Sequence, residues 1–443
     1  MTLLSSVHSK YLDVFVAKQV KTSISQADSN VYLTFGKSDA WANDAAPDQA
    51  NTSVAEFNNV WRNMIGAKKI TGNNVRHAIP RFNWTANTVY NAYDHMTDSN
   101  AMKNPDYQFY ILTSDYNVYK CLSNNYSSNS TVMPTSTITT THVQTSDGYI
   151  WKYMYTLSAD EQLRFLTSSF MPVKTLAIQD SSTQWAVQQN AIRGAIHVIE
   201  VTDGGTSYTA NDVSVVITGD GSDANAYALI NTTSNTVSSI VVTNLGYDYT
   251  YATVTLNSSI GSGANARAII SPKGGHGSDA LTELGGSYLI FNVQFKNNED
   301  GIFTTHNDYR QIVIMEDPYA YGTTNVFSSA AASQLTNLTL NGISAEYVED
   351  EWVYQGTSLS TASFKGVVTE WDSTNNIIRL SQTEGIANKD LLVGANTAAS
   401  RFVSLIDTPD MQPYTGKLLY IDNLSPVERA IDQTEDYKIV LNF

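Results

Sequence analysis

The seven histidines are the side chains best suited to bind a metal or transfer protons, and they are spread widely along the chain. They are His8, His77, His95, His142, His197, His276 and His306. No two of them have the spacing of a helical or zinc-finger ligand pair, whereas metal ligands normally come in clusters. The sequence therefore predicts no metal site, and it assigns no cofactor.

Acidic side chains could instead supply the carboxylate pair of a glycosidase, and Asp317 and residues 349–351 are the candidates. Such a pair is defined by its separation in space, which a sequence does not give. Because the chain has 42 acidic residues, we expect these to lie on a solvated face. Residues 220–223 resemble part of a calcium loop, but their repeat partner at 260–263 has no carboxylate, so we expect a turn.

Nucleophilic chemistry has little support in the sequence. Cys121, the only cysteine, lies in an apolar strand pattern with no basic neighbour beyond Lys120, and such a thiol is expected to be buried and unreactive. The sequence contains no Gly-x-Ser-x-Gly elbow, Walker loop or dinucleotide fingerprint. We therefore expect no enzyme activity and assign no catalytic, cofactor-binding or metal-binding residue.

Composition and charge exclude several classes of partner. The net charge is −16, with 26 basic and 42 acidic residues, so the chain lacks the basic footprint that nucleic acids and anionic membranes require. A single cysteine excludes an internal disulfide framework and fits a reducing cytoplasm. The N-terminus has no signal-peptide pattern, and no apolar run is long enough to cross a bilayer. We expect a soluble protein of two or three domains.

The segment 146–173 is expected to anchor the core of the fold. Its bulky side chains alternate with period two, with Tyr149, Trp151, Tyr153 and Tyr155 on one face and Ile150, Met154 and Leu157 on the other. This pattern is typical of a strand covered on both faces. Ser158 then takes the position of a helix N-cap, and Glu161 completes a capping box before a helix over 159–166.

Other elements are placed around this anchor. Amphipathic spacing predicts helices over 8–27, with Tyr11, Val14, Phe15 and Lys18 in register, and over 53–65, with Ser53 as N-cap. Segments 107–113 and 118–122 are predicted to form a hairpin, and the Ser-, Thr- and Asn-rich tract 123–141 an exposed loop. Further strands are expected at 31–35, 288–295, 310–315, 416–423 and 437–443.

Two segments differ in character from the rest. In the first, VTDGGTSYT at 201–209 is repeated as VTNLGYDYT at 242–250, and GSDANAYALI at 221–230 as GSGANARAII at 261–270. This indicates a tandem β-repeat module over 196–272. In the second, over 343–405, short strands separated by turn residues indicate a small β-barrel-like module. The fold class expected is mainly β: a sandwich-type body with a few short helices and two inserted small β modules.

Six segments, in order along the chain, carry a family resemblance. They are VYLTFGKSDAW at 31–41, VWRNMIGAKKI and HAIPRFNW within 60–84, NVYKCLSNN at 117–125, GYIWKYMYTLSAD at 148–160, YRQIVIMEDPYAYG at 309–322, and residues 416–443. The chain resembles the baseplate wedge protein family of T-even-like contractile phage tails, the gene-eight product. The two unmatched segments would be insertions, giving a body of 1–195, 273–342 and 406–443 interrupted by modules at 196–272 and 343–405.

This resemblance implies a structural and non-enzymatic role. It implies a homodimer that contacts other baseplate wedge proteins and helps to hold the baseplate in its pre-contraction state, in a virion assembled in the host cytoplasm. Two alternatives remain open at this point. A tail-associated polysaccharide-binding or depolymerising β protein would fit the repeat and the aromatic content, whereas a head-decoration protein would fit the composition but not the six matching segments.

Overall fold

The structure, a computed structural model, describes residues 9–99, 101–210 and 212–443. Strands make up 41% of the chain and helices 12%, which confirms the mainly β class with a few short helices. The described residues form two compact units. The first holds the described residues up to Val20 together with Arg76–Ile290 and Ile439–Phe443, and the second holds Lys21–Val75 and Phe291–Lys438. The sandwich-type body and the division into five segments stay predictions.

The helices are α1 (Lys10–Ser25), α2 (Val54–Asn63), α3 (Ala159–Phe165), α4 (Thr183–Gln189) and α5 (Ala280–Glu283). The first three were predicted, although His8 lies outside the described residues. The predicted face of α1 is only partly right: Val14 is buried, but Tyr11 and Phe15 are exposed and Ala17 is buried instead. Ser53 caps α2 as predicted, its hydroxyl accepting from the N–H of Glu56. The capping box of α3 is present in full.

The strands follow in three groups. Before the repeat lie β1 (Val31–Gly36), β2 (Met64–Ile70), β3 (Val75–Pro80), β4 (Tyr110–Leu112), β5 (Asn117–Ser123), β6 (Val143–Gln144), β7 (Ile150–Thr156) and β8 (Phe170–Val173). The repeat contains β9 (Ile196–Asp203), β10 (Ser214–Gly219), β11 (Ser222–Asn231), β12 (Thr236–Tyr247), β13 (Ala252–Asn257) and β14 (Asn265–Ile270). After it come β15 (Tyr288–Lys296), β16 (Tyr309–Glu316), β17 (Ala331–Ser333), β18 (Thr336–Asn341), β19 (Trp352–Gln355), β20 (Phe364–Asp372), β21 (Ile377–Gly385), β22 (Leu391–Gly394), β23 (Ser400–Asp407), β24 (Lys417–Val427) and β25 (Thr434–Asn442).

The second unit contains a five-stranded sheet and a closed barrel. The sheet has the order β17-β2-β1-β16-β24, and the barrel closes as β18-β21-β20-β19-β22-β23. Leu338, Val368 and Leu380 are among the residues of the barrel core. Strand β18 pairs with both β21 and β23. The barrel therefore includes a strand that precedes the segment 343–405.

The first unit contains a sheet of order β4-β5-β7-β6, in which β4 and β5 form the predicted hairpin with Ile111 opposite Tyr119. A bulge changes the expected faces of β7. Tyr119 lies opposite Tyr153 but the neighbouring Val118 lies opposite Tyr155, so Met154 is skipped. Tyr155 consequently packs in the same core as Met154 and not with the other aromatic residues of β7.

The two repeat copies form one module with a local two-fold relationship. Copy one supplies β9 to β11 and copy two supplies β12 to β14, and the four-stranded sheet has the order β11-β12-β9-β14. Ile199 and Ile240 occupy equivalent repeat positions and lie opposite each other at the centre of this sheet. Strands β10 and β13, which are also equivalent, pair antiparallel in a separate two-stranded sheet.

Bulges occur at equivalent positions in the two copies. Pairing skips Thr202 between β9 and β14, and it skips Thr243 between β12 and β11. The hydroxyl of Thr202 donates to the carbonyl of Asn265 at 3.2 Å, and the hydroxyl of Thr243 donates to the carbonyl of Asn225 at 3.1 Å. Because the same residue type makes the same bond in each copy, strands β11 and β14 can be compared position by position.

Two tyrosines join the copies reciprocally. Tyr208 of copy one packs on Gly261 of copy two, and Tyr249 of copy two packs on Gly221 of copy one. A Cβ atom at either glycine would overlap the facing ring, so the close approach requires glycine at both positions. Each copy thus supplies packing that the other needs.

Candidate functional site: a buried histidine and lysine cluster

Two lysines lie opposite each other inside the first unit. Lys120 of β5 pairs in register with Lys152 of β7, and both residues are buried. Like charges directly opposite on neighbouring strands destabilise a sheet, and burial of an ammonium group costs free energy unless partners replace its water. Each lysine must therefore have specific partners, and these define the cluster.

Lys120 is held by an acidic, an imidazole and an aromatic group. Its Nζ donates to the carboxylate of Glu283 at 2.9 Å and lies 3.1 Å from Nδ1 of His276. It also lies 3.9 Å from the ring centroid of Tyr93, within the range of a cation–π interaction. The second oxygen of Glu283 accepts from the N–H of Gly277 at 2.7 Å. Burial lowers the pKa of Lys120, and the adjacent Glu283 opposes that change.

Lys152 is held by backbone carbonyls. Its Nζ donates to the carbonyl oxygen of Thr139 at 3.0 Å and to that of Thr141 at 3.1 Å. Burial lowers the pKa of Lys152 to about 8. Apart from Ser123, which ends β5, the tract 123–141 has no helix or strand, as predicted. The two bonds of Lys152 tie the end of this tract to the buried sheet.

Three histidines complete the cluster. His197 is the residue that pairing skips between Ile269 and Ile270, so it occupies a second bulge of β9, and bulges commonly redirect a side chain. Its Nδ1 lies 3.2 Å from Nδ1 of His142, and its ring centroid lies 5.1 Å from that of His276.

The imidazoles are kept neutral by their surroundings. Burial lowers the pKa of His197 to about 3, with nearby His142 and the two lysines acting in the same direction. Burial also places the pKa of His276 well below its usual value and lowers that of His142. At neutral pH one imidazole of the His142–His197 pair donates a hydrogen bond and the other accepts it.

A cavity of about 1180 Å³ borders this cluster in the first unit, and Lys10, Tyr93 and Lys120 contribute to its wall. Burial lowers the pKa of Lys10 to about 8. The Nζ of Lys10 nevertheless donates to the carbonyl of Glu283 at 3.1 Å. Lys10 and Lys120, which line the cavity, are both engaged in hydrogen bonds. The cluster is therefore better suited to holding β5, β7, β9 and α5 together than to presenting a nucleophile.

The candidate residues named in the sequence analysis lie apart from one another in the structure. Glu351 contradicts the expected solvated face: it is 1% exposed, and its carboxylate accepts from the N–H groups of Val348, Asn396 and Thr397, in the segments before β19 and after β22. Of the turn expected at 220–223, only residues 220 and 221 form a bend, because β11 begins at Ser222. The carboxylate of Asp220 accepts from the N–H groups of Thr250 and Tyr251 in the second repeat copy. Cys121 is buried in β5, and burial raises the pKa of its thiol.

The cluster itself was not predicted. Its members lie far apart in sequence: the pairing of β5 with β7 brings the two lysines together, and a bulge of β9 holds His197. One signal was present: Lys120 and Lys152 each interrupt a strand pattern of large apolar and aromatic residues. Among the residues that the structure describes, no three His, Cys, Asp or Glu side chains are arranged to hold a metal ion. No described helix is long and apolar enough to cross a membrane.

Comparison with known proteins gives one family match. Residues 19–141 match the family model described as "Bacteriophage T4, Gp8". This confirms the resemblance to the wedge protein family over those residues, which include strands β1 to β5 and three of the six matching segments. Comparison with curated proteins gives no match.

Proposed function

From this family match we propose that the protein is a structural subunit of the baseplate wedge of a contractile-tailed bacteriophage. The observation that carries the proposal is the match over residues 19–141. The matched segment supplies β1, which lies at the centre of the five-stranded sheet, and β5, which carries Lys120. It therefore contributes to the framework of the fold in both units.

A non-enzymatic role is part of this proposal. Lys120 and His276, whose pKa values burial lowers, lie within hydrogen-bond distance of each other inside the first unit. Perturbed pKa values occur at active sites and also in structural networks of charges. Burial and mutual hydrogen bonding of these groups favour the structural role, with no cofactor.

The proposed partners are other baseplate wedge proteins and a second copy of this chain. The net charge of −16 disfavours nucleic acid and anionic membranes as binding surfaces. The protein would reside in the tail baseplate of the virion after assembly in the host cytoplasm. There its contacts would help to hold the baseplate in its pre-contraction state.

Sedimentation velocity of the purified protein, alone and mixed with the other wedge proteins of the same phage, tests this function. We expect a dimer that enters a larger complex only when those proteins are present, and a head protein of the same phage serves as the control. A monomer or trimer that ignores the wedge proteins would overturn the proposal. Polysaccharide binding and cleavage would then be the next activities to assay.

A further inference from the structure

Strands β11 and β14 occupy equivalent positions in the two repeat copies, but the outer face of β14 is covered by other residues of the first unit and the same face of β11 is not. On β14 the covered face carries Ile269, which is 5% exposed and packs with Tyr93 and Leu122. Arg267 on the same strand forms an ion pair with Asp94 at 2.7 Å. The face of β14 is therefore docked against the rest of the first unit.

The equivalent face of β11 has no such cover. The residue equivalent to Ile269 is Leu229, and the residue equivalent to Arg267 is Tyr227. Leu229 is 44% exposed and Tyr227 is 49% exposed. The positions that face the protein interior in one copy thus face solvent in the other, and the charged residue is replaced by an uncharged aromatic one.

Strand β11 also ends its sheet. In the sheet order the neighbour of β11 is β12, and no described strand pairs with its other edge. The carbonyls of Asn225 and Leu229 accept from the hydroxyls of Thr243 and Ser238 on β12. Because the backbone groups of successive strand residues point to opposite sides, the free edge presents those of Ala226, Ala228 and Ile230.

Few features protect this edge against pairing. Soluble proteins usually guard an exposed edge with lysine, proline or a bulge on the edge strand itself. The sequence of β11, SDANAYALIN, has no lysine or proline, and its only charged residue, Asp223, lies near its start. Asp223 has a positive φ, but from Ala224 onward the residues skipped in the pairing with β12 are on β12, so β11 alternates regularly from Ala224 to Asn231.

We propose that β11 pairs antiparallel with β11 of a second copy of this chain, about a two-fold axis at Ala228. This register places Tyr227 opposite Leu229 of the second copy and Asn225 opposite Asn231. The row is therefore self-complementary, aromatic against aliphatic and amide against amide, which is the requirement for an isologous contact. The two four-stranded sheets join into one continuous sheet.

Antiparallel pairing of two equivalent strands about a two-fold axis already occurs within the module. Its equivalent strands β9 and β12 pair antiparallel about a local two-fold axis, as do β10 and β13. One strand edge is a small contact compared with the ~1,600 Å² that a standard protein–protein interface buries. The pairing is thus expected to depend on concentration and to be strengthened where copies are held close together in an assembly.

Disulfide trapping tests the register. Tyr227 and Leu229 would face each other as a non-hydrogen-bonded pair, with Cα atoms ~4.5 Å apart, a separation that a disulfide spans. The variant Tyr227→Cys/Leu229→Cys should form a covalent dimer under mild oxidation, and Tyr227→Cys or Leu229→Cys alone should not. The native Cys121 is buried and should give no background. Equal cross-linking of the double and single variants would overturn the proposal.

A charge substitution tests the contact without cross-linking. Leu229→Glu places a carboxylate against Tyr227 of the second copy and should weaken self-association of the full chain by at least about tenfold, measured by sedimentation equilibrium. Val216→Glu on β10 is the matched control, since Val216 is also exposed but lies outside the β11 edge. Unchanged association of Leu229→Glu would overturn the proposal.

These outcomes are independent of the wedge function. A chain that still joins the wedge proteins but shows no β11 pairing would retain the proposed function and lose this inference. Conversely, β11 pairing by a chain that ignores the wedge proteins would support the inference alone.

Discussion

At the scale of single residues, the ion pair of Lys120 and Glu283 is expected to contribute strongly to stability. Both side chains are buried, and removing one partner leaves the other charge without compensation. Glu283→Gln should lower the free energy of unfolding by about 3–5 kcal/mol. Urea unfolding followed by circular dichroism measures this change, and a Glu283→Gln variant as stable as the parent would show that His276 and Tyr93 suffice to hold the ammonium group.

A double substitution separates the charge from the packing. Lys120→Met/Glu283→Gln removes both charges, so it should be less destabilised than the sum of the single variants. Lys417→Met is the control, because the side chain of Lys417 is 71% exposed in its pair with Glu316, and exposed pairs contribute little. Additive effects of the two buried substitutions would indicate that the cluster is not coupled.

At the scale of elements, the stability of the protein is expected to depend on pH through His197, which lies in a bulge of β9. Because burial lowers the pKa of His197 to about 3, the unfolded chain binds a proton near the usual pKa of about 6.5 that the folded chain does not. The stability that comes from burying neutral His197 is therefore complete above pH ~6.5 and is lost progressively as the pH falls toward 3. The expected slope is about 1.4 kcal/mol per pH unit for each such histidine.

His197→Gln should therefore make the pH dependence of unfolding shallower between about pH 6.5 and 4.5. Val198→Ala is the matched control: it trims a neighbouring apolar residue of β9 and should lower stability equally at every pH. Urea midpoints across this range distinguish the two effects. Parallel curves for His197→Gln and the parent would mean that this imidazole does not titrate differently in the folded state.

How much of each element the sequence predicted depends on how local its cause is. The caps at Ser53 and Ser158 act within three residues, so the pattern alone places α2 and α3 correctly. The hairpin of β4 and β5 is equally local. The skipped Met154 and the bulge at His197 depend on partner strands from elsewhere in the chain. For that reason the faces of β7 and the histidine cluster were not predicted.

At the scale of the whole molecule, the chain crosses repeatedly between the units. The first unit takes its N-terminal residues, a long central segment and the last five residues, and the second takes what lies between them. Strand β1 pairs with β16, almost 300 residues later, a connection that no local pattern indicates. A contiguous piece of sequence is thus not in general a contiguous piece of structure.

The barrel is an exception, and this leads to a prediction about fragments. A fragment of residues 334–410 contains all six barrel strands and their core, and a closed barrel leaves no unpaired edge. It should fold alone and unfold cooperatively on heating. A fragment of residues 1–195 contains β1 without β16, so it should show no cooperative transition. Circular dichroism with thermal unfolding measures both.

Two substitutions within the barrel fragment show whether its transition reports the core. Leu380→Ala should destabilise the fragment by about 2–5 kcal/mol, because Leu380 is buried in the barrel interior and truncation leaves a cavity. Leu405→Ala should have little effect, since Leu405 is exposed. If fragment 1–195 melted cooperatively while the barrel fragment did not, the prediction that the closed barrel folds independently would be refuted.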